Sequence, residues 1–197
     1  MGRVRGTAVL GTLDFVGSRF GREAAERVVA LLPVDMRDTL GDAAGGGIAP
    51  HGWYDTALLV ELTARIDSEM GEGDLALARA AGKHVAFQDV NRFFKWLMRL
   101  GGPSILFSRA GAVWNNYYDD GRYVLENVGD GRASIRIEGG TSAGPVVCKR
   151  VEGWIERALE ITLGPEKQPT IRESAHLMRD ASVGELPFCR FVAEWKG

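Results

Sequence analysis

The residue types that could bind a metal ion gather in the last quarter of the sequence. Cys148 enters a predicted helix, and three further candidates lie on the two strands predicted after it: Glu173, His176 and Cys189. If the last hairpin turns around residues 182–183, His176 lies opposite Cys189, with Cβ atoms about 5 Å apart. Two thiolates, an imidazole and a carboxylate are all ligands that tetrahedral zinc accepts. The four residues are therefore a candidate zinc site.

The same residues also fit a site without a metal. Glu173 and His176 are three positions apart, so on a regular strand they point to opposite faces. Both could bind one ion only if the strand bulges near Ala175. Isolated cysteines are more often buried as small apolar residues than used as ligands. The residue types alone leave both interpretations open.

Sequence signatures of catalysis are missing from the chain. It has neither a G-x-x-x-x-G-K-S/T phosphate loop nor a G-x-S-x-G nucleophile elbow. The glycine run at 45–47 follows no predicted strand and indicates a flexible loop. The histidines lie far apart and form no H-E-x-x-H motif: His51, His84 and His176. Because no nucleophile lies beside a base, we expect a protein that is not an enzyme.

Two aromatic clusters could line a pocket for a flat hydrophobic ligand. The candidates are Phe93, Phe94, Trp96, Leu97, Phe107, Val113, Trp114, Tyr117 and Tyr123. The competing interpretation is a solid core, since aromatic residues at helical spacing usually pack. The basic residues beside the first cluster could meet an anionic group or form a solvated face: Arg92, Lys95 and Arg99.

The elements that must position these residues change character halfway along the chain. Apart from a strand predicted over Val4–Val16, residues 1–118 show mainly helical periodicity, with a break at Gly101-Gly102-Pro103. Residues 119–197 predict β-β-α-β-β: a hairpin, a helix from about Pro145 to Leu163, and a second hairpin. We therefore expect a single α+β domain over residues 1–197, with an antiparallel sheet packed on helices.

Composition narrows the class of protein. The chain has 197 residues, 24 basic and 26 acidic side chains, and a net charge of −2. This balance argues against a nucleic-acid binder, which needs a concentrated basic face. No apolar run approaches the ~18 residues of a membrane span, and no secretion signal is recognisable. We expect a cytoplasmic protein.

The tail resembles 4-vinyl reductase-like domains, small-molecule-sensing modules in the superfamily of TRAPP subunits and haem nitric-oxide-binding domains. The residues that carry the resemblance are Gly144-Pro145-Val146-Val147-Cys148, Gly153, Glu173 and Phe188-Cys189-Arg190-Phe191 with Val192-Ala193-Glu194-Trp195. It implies a metal held by Cys148, Glu173, His176 in place of a cysteine, and Cys189. The stretch from His176 to Cys189 is longer than the family's, which departs from the pattern.

The haem-binding branch of that superfamily implies a Tyr-x-Ser-x-Arg signature for the haem propionates. In this sequence Arg132 replaces the tyrosine, although Ser134 and Arg136 are present. His84 has no context that favours an axial ligand, so we predict no haem. The opening, Gly6 to Val16 with Phe20-Gly21, also resembles a family of myxobacterial paralogues, which implies lineage but no chemistry.

Together these observations predict a non-catalytic bacterial regulatory or sensor protein. It would bind a small hydrophobic or aromatic ligand between helices and sheet, with a structural zinc under the final hairpin. The resemblance to TRAPP subunits implies an alternative, a protein-interaction module acting as a homodimer or with a regulatory partner. A weaker alternative is an enzyme that modifies a tetrapyrrole.

Overall fold

The computed structural model describes residues 2–89, 95–129, 131–139, 144–164, 166–180 and 184–195. Within these ranges, only the backbone is described for residues 89, 95–101, 174–180 and 184–186. Phe93 and Phe94 of the predicted pocket lie outside the described residues, and only the backbone is considered at Trp96, Leu97 and His176.

The first half of the chain is a group of helices with one small two-stranded sheet. Its elements are β1 (Arg3–Arg5), α1 (Gly6–Phe20), α2 (Arg22–Ala30), α3 (Val34–Leu40), β2 (Trp53–Asp55), α4 (Thr56–Met70), α5 (Ala76–Asp89) and α6 (Lys95–Tyr117). Strands β1 and β2 pair antiparallel. The predicted break near Gly102 is a kink inside α6, where this glycine has a φ of 61°.

The strand predicted over Val4–Val16 is wrong, because the chain is helical from Gly6 onward. Two glycines indicated a bend in a strand, but in the structure they allow close packing of a helix. A Cβ at Gly6 would lie 2.1 Å from the carbonyl oxygen of Ala49, and one at Gly11 would lie 2.9 Å from Val85. Tertiary contact therefore outweighs the low helix propensity of glycine.

The second half has the predicted β-β-α-β-β order. It consists of β3 (Arg122–Gly129), β4 (Arg132–Glu138), α7 (Gly144–Leu163), β5 (Thr170–Asp180) and β6 (Gly184–Glu194). The four strands form one antiparallel sheet in the order β3-β4-β6-β5. The α+β class and the helical first half predicted from the sequence are confirmed.

Strand β4 separates two faces of this sheet. Ile135 and Ile137 point toward α6 and α7 and belong to the core, whereas Arg136 between them points to the opposite face. Helix α7 also packs across α5, where Gly82 and Gly153 allow the two backbones to meet. The junction of α5, α6, α7 and the sheet is where a cavity lies.

Among the helices of the described ranges, none is both long enough and apolar enough to cross a membrane.

Candidate functional site

Three of the four predicted metal ligands come together between α7 and the last two strands. The ligand atoms of Cys148, Glu173 and Cys189 all lie within 4.8 Å of one another. The backbone ladder of β5 is irregular between Glu173 and Ala175, which is the bulge that the sequence required. The side chain of His176 is outside the described part, so its relation to this group is left open.

The two thiols of this group are buried. The Cys148 thiol donates a hydrogen bond to the Cys189 sulfur, with 3.1 Å between the sulfur atoms. That hydrogen bond, burial and the neighbouring Glu173 carboxylate all raise the pKa of the Cys148 thiol. Two thiolates on one tetrahedral zinc would lie about 3.7 Å apart, given Zn–S bonds of about 2.3 Å, so the two sulfur atoms lie closer together here than two zinc ligands would.

A separate cavity of about 80 Å³ lies at the junction of the helices and the sheet. Apolar and aromatic side chains form most of its wall. The lining residues are Ala8, Gly82, Val85, Ala110, Val113, Trp114, Tyr117, Tyr118, Tyr123, Ile135, Ile137, Arg150, Val151, Trp154 and Ile155. The predicted pocket residues Val113, Trp114, Tyr117 and Tyr123 are therefore at the cavity.

Phe107, also predicted for the pocket, is placed in the core. Its ring stacks on Trp195 with centroids 5.8 Å apart, and it is absent from the cavity wall. Its carbonyl oxygen accepts a hydrogen bond of 2.9 Å from the Tyr123 hydroxyl. Burial raises the pKa of Tyr123, so this hydroxyl is a neutral donor whose proton is already used.

Sequence reasoning missed most of the contribution that α7 makes to the cavity. Arg150, Val151, Trp154 and Ile155 of α7 all line the cavity, and none of them is among the pocket residues predicted from the sequence. The signal was nevertheless present: Arg150 lies three residues after Val147 and four before Trp154. This spacing places a charged residue within the apolar face of the helix.

Arg150 is the charged residue among those that line the cavity, and only 5% of it is exposed. Its Nη1 donates to the Thr63 hydroxyl at 3.4 Å, and its side chain also interacts with the Tyr118 hydroxyl. Burial raises the pKa of Tyr118 and lowers that of Arg150. An arginine side chain nonetheless keeps its charge in proteins, because its ordinary pKa lies so far above neutrality.

The fold of this chain is similar to that of H-NOX domains. Solved structures of H-NOX domains match almost the whole chain, although sequence identity is low. The Fe(II) unliganded H-NOX protein from K. algicida has a TM-score of 0.71 at 12% identity, covering 98% of this chain and 97% of that one. An oxygen-binding H-NOX domain related to soluble guanylate cyclases has a TM-score of 0.68 at 11% identity, covering 98% and 95%.

A third H-NOX structure, described in terms of haem redox potential and porphyrin distortion, has a TM-score of 0.69 at 11% identity and covers 98% of this chain and 95% of that one. No protein-family model matches the chain, and no curated protein matches it in sequence. The comparison thus shows that the chain shares the fold of H-NOX domains. The likeness to 4-vinyl reductase-like domains and TRAPP subunits stays a resemblance.

This comparison contradicts the predicted structural zinc. The solved structures of this fold are described as Fe(II) and haem proteins. The geometry agrees with this correction, since the two sulfur atoms are 3.1 Å apart and two zinc-bound thiolates would be about 3.7 Å apart. The cysteine and glutamate types were correctly expected to meet, but the chemistry assigned to them was wrong.

The described residues around the cavity do not fit a haem either. A volume of about 80 Å³ is far below the roughly 300–1,000 Å³ of pockets for larger ligands. His84 instead points at Asp14, with 2.7 Å between Nε2 and the carboxylate, and neither it nor His51 lines the cavity. Arg136, the match to the propionate signature, lies on the far face of β4 in ion pairs with Glu126 and Glu138.

Proposed function

We propose that this chain is a non-catalytic sensor domain that binds a small, largely apolar molecule in the cavity between helices and sheet. The observation that carries the proposal is the cavity itself, placed where α5, α6, α7 and β4 meet. Its position in a fold shared with H-NOX domains, which are described as binding oxygen and haem, supports a sensing role. The proposed ligand is not haem, because the cavity of about 80 Å³ and its described side chains do not fit one.

Several lining side chains favour an apolar ligand over a purely packed interior. Trp114 stacks on Tyr118 with ring centroids 4.4 Å apart, and its indole nitrogen donates to the Gly121 carbonyl at 3.2 Å. These contacts hold the aromatic wall in place without any side chain occupying the cavity. A preformed apolar space of this kind binds small apolar molecules with little reorganisation.

Xenon is a suitable neutral probe, because it enters apolar cavities and makes no hydrogen bonds. We expect saturable binding to the wild-type protein, followed as a xenon NMR shift and as quenching of Trp114 and Trp154 fluorescence. The variant Val151→Phe fills the cavity and should abolish the saturable response. Val34→Phe, at an exposed position, is the matched control and should bind as the wild type does.

Equal xenon responses from the wild type and Val151→Phe would overturn the proposed site. The comparison is made on folded protein, checked for each variant by far-UV circular dichroism.

A further inference from the structure

The cavity contains a buried positive charge that no described carboxylate neutralises. The recorded partners of Arg150 are the hydroxyls of Thr63 and Tyr118, and among the described residues it forms no ion pair. The Thr63 hydroxyl already donates to the Leu59 carbonyl at 2.7 Å, so toward Arg150 it offers a lone pair only. Hydroxyl groups solvate a guanidinium but do not cancel its charge. Leaving a buried charge uncompensated destabilises the folded protein.

The fold holds this charge firmly at the cavity wall. The backbone of α7 at Arg150 contacts α5 so closely that a Cβ at Gly82 would lie 2.1 Å from the Arg150 carbonyl oxygen. One turn further, a Cβ at Gly153 would lie 1.9 Å from the carbonyl oxygen of Arg79. Because both contacts involve backbone atoms, α7 cannot slide to carry Arg150 out to solvent.

The other walls of the same cavity are apolar. Ile135, Ile137 and Val151 face it together with the rings of Trp114 and Trp154. A ligand that satisfies both kinds of wall needs an anionic head and a short apolar tail. Guanidinium groups bind carboxylates with two parallel hydrogen bonds, which gives orientation as well as charge neutralisation.

We propose that the cavity binds a short-chain carboxylate, with the carboxylate group on Arg150 and the hydrocarbon tail against the apolar wall. This inference rests on the proposed function, since it names the ligand class of the same cavity. The volume sets the size: a cavity of about 150 Å³ takes up benzene, which has six heavy atoms, so about 80 Å³ suits a smaller acid such as acetate or propionate.

The test compares sodium propionate with propionamide, a neutral molecule of nearly the same shape, by isothermal titration calorimetry on the whole chain. We expect propionate to bind at least tenfold more tightly than propionamide. In a series from acetate to octanoate, affinity should be highest at acetate or propionate and fall beyond, because longer tails exceed the volume of about 80 Å³.

The variant Arg150→Met tests the role of the charge. We expect at least a tenfold loss of propionate affinity together with an unchanged or higher Tm without ligand, because a buried uncompensated charge has been removed. Arg157→Met, the same substitution on the same helix outside the cavity, should leave propionate binding unchanged.

Three outcomes would overturn the inference, and they are distinguishable from failure of the proposed function. Equal binding of propionate and propionamide, or unchanged propionate binding by Arg150→Met, would rule out the carboxylate while leaving the cavity as a binding site for neutral molecules. Absence of binding by acids and amide alike, with xenon still bound, would have the same meaning. If xenon also fails to bind, the proposed function fails as well. The propionate–propionamide comparison needs no variant, so it stands even if Arg150→Met does not fold.

Discussion

Two buried arginines, Arg136 and Arg150, differ in the side chains that surround their positive charges. Arg136 is paired with the carboxylates of Glu126 and Glu138 on the outer face of the sheet. Arg150, at the inner junction, has hydroxyl partners instead. In the first arrangement, the positive charge of Arg136 is neutralised by ion pairs with carboxylates. The second leaves a charge for a ligand to neutralise, which is why we assign function to Arg150 and stability to Arg136.

The structural network makes a prediction about acid stability. Burial alone would raise the pKa of Glu138, but hydrogen bonds and charge from Arg122 and Arg136 outweigh it and lower the pKa below the ordinary 4.5. A carboxyl group with a lowered pKa stabilises the folded state above its unfolded pKa, and this contribution is lost as pH falls through the folded pKa.

We therefore expect Glu138→Gln to lower the free energy of unfolding by about 2 kcal/mol at pH 7, less than for a fully buried pair because Arg122 reaches solvent. The difference from the wild type should shrink as pH falls below 4.5. Urea unfolding at several pH values measures both. Glu26→Gln, which breaks an exposed pair with Arg22, is the control and should change stability by no more than about 0.5 kcal/mol. A constant difference across the pH range would contradict the assignment.

Among the elements, the crossing of α5 and α7 has the greatest influence on the site. It brings Gly82 and Val85 of one helix against Arg150 and Trp154 of the other, and all four line the cavity. Backbones can approach this closely only where one of them has no Cβ. Glycines in the middle of helices thus specify where the cavity forms.

We expect Gly153→Ala to destabilise the protein by about 1–3 kcal/mol or more, because the added Cβ would collide with a backbone carbonyl that cannot give way. Gly17→Ala is the matched control, since nothing lies within 4 Å of a Cβ at that helical position. It should stabilise the protein by about 0.5–1 kcal/mol through better helix propensity. Thermal unfolding measures the stability of both variants. If Gly153→Ala and Gly17→Ala changed stability to the same extent, the crossing of α5 and α7 would be looser than described.

Over the whole molecule, two groups of buried side chains are joined rather than separate. One surrounds α1, α2 and α4, and the other lies between α6, α7 and the four-stranded sheet. Tyr118 packs against both groups. The N-terminal strand is also tied to the second half, since the Arg3 backbone and side chain bind the Asp119 carboxylate.

This connection predicts that the chain unfolds as one cooperative unit, in keeping with the single domain expected from the sequence. Denaturation followed by fluorescence of the tryptophans, which lie in both halves of the chain, and by far-UV circular dichroism should give coincident transitions. Two separate transitions, or a protease-resistant fragment ending near residue 118, would show two independently folding parts.

Local periodicity was enough to predict the elements of the second half. The change from helical to alternating spacing near residue 120, with turn residues around Gly131, predicts the β3–β4 hairpin that the structure contains. The same reasoning failed at α1, because the reason for Gly6 and Gly11 lies in chain segments far away. Propensity cannot distinguish a glycine that bends a strand from one that lets a helix pack closely.

The sequence by itself determined the α+β class and the β-β-α-β-β order, and it indicated Trp114, Tyr117 and Tyr123 at the cavity, because these depend on patterns within short windows. Only the tertiary structure decided that Cys148 and Cys189 form a thiol contact and that Arg136 and Arg150 have opposite surroundings. Charge state and partners depend on which distant segments enclose a side chain. That enclosure, produced by the helix crossing and the sheet register, turns an ordinary arginine into a candidate binding residue.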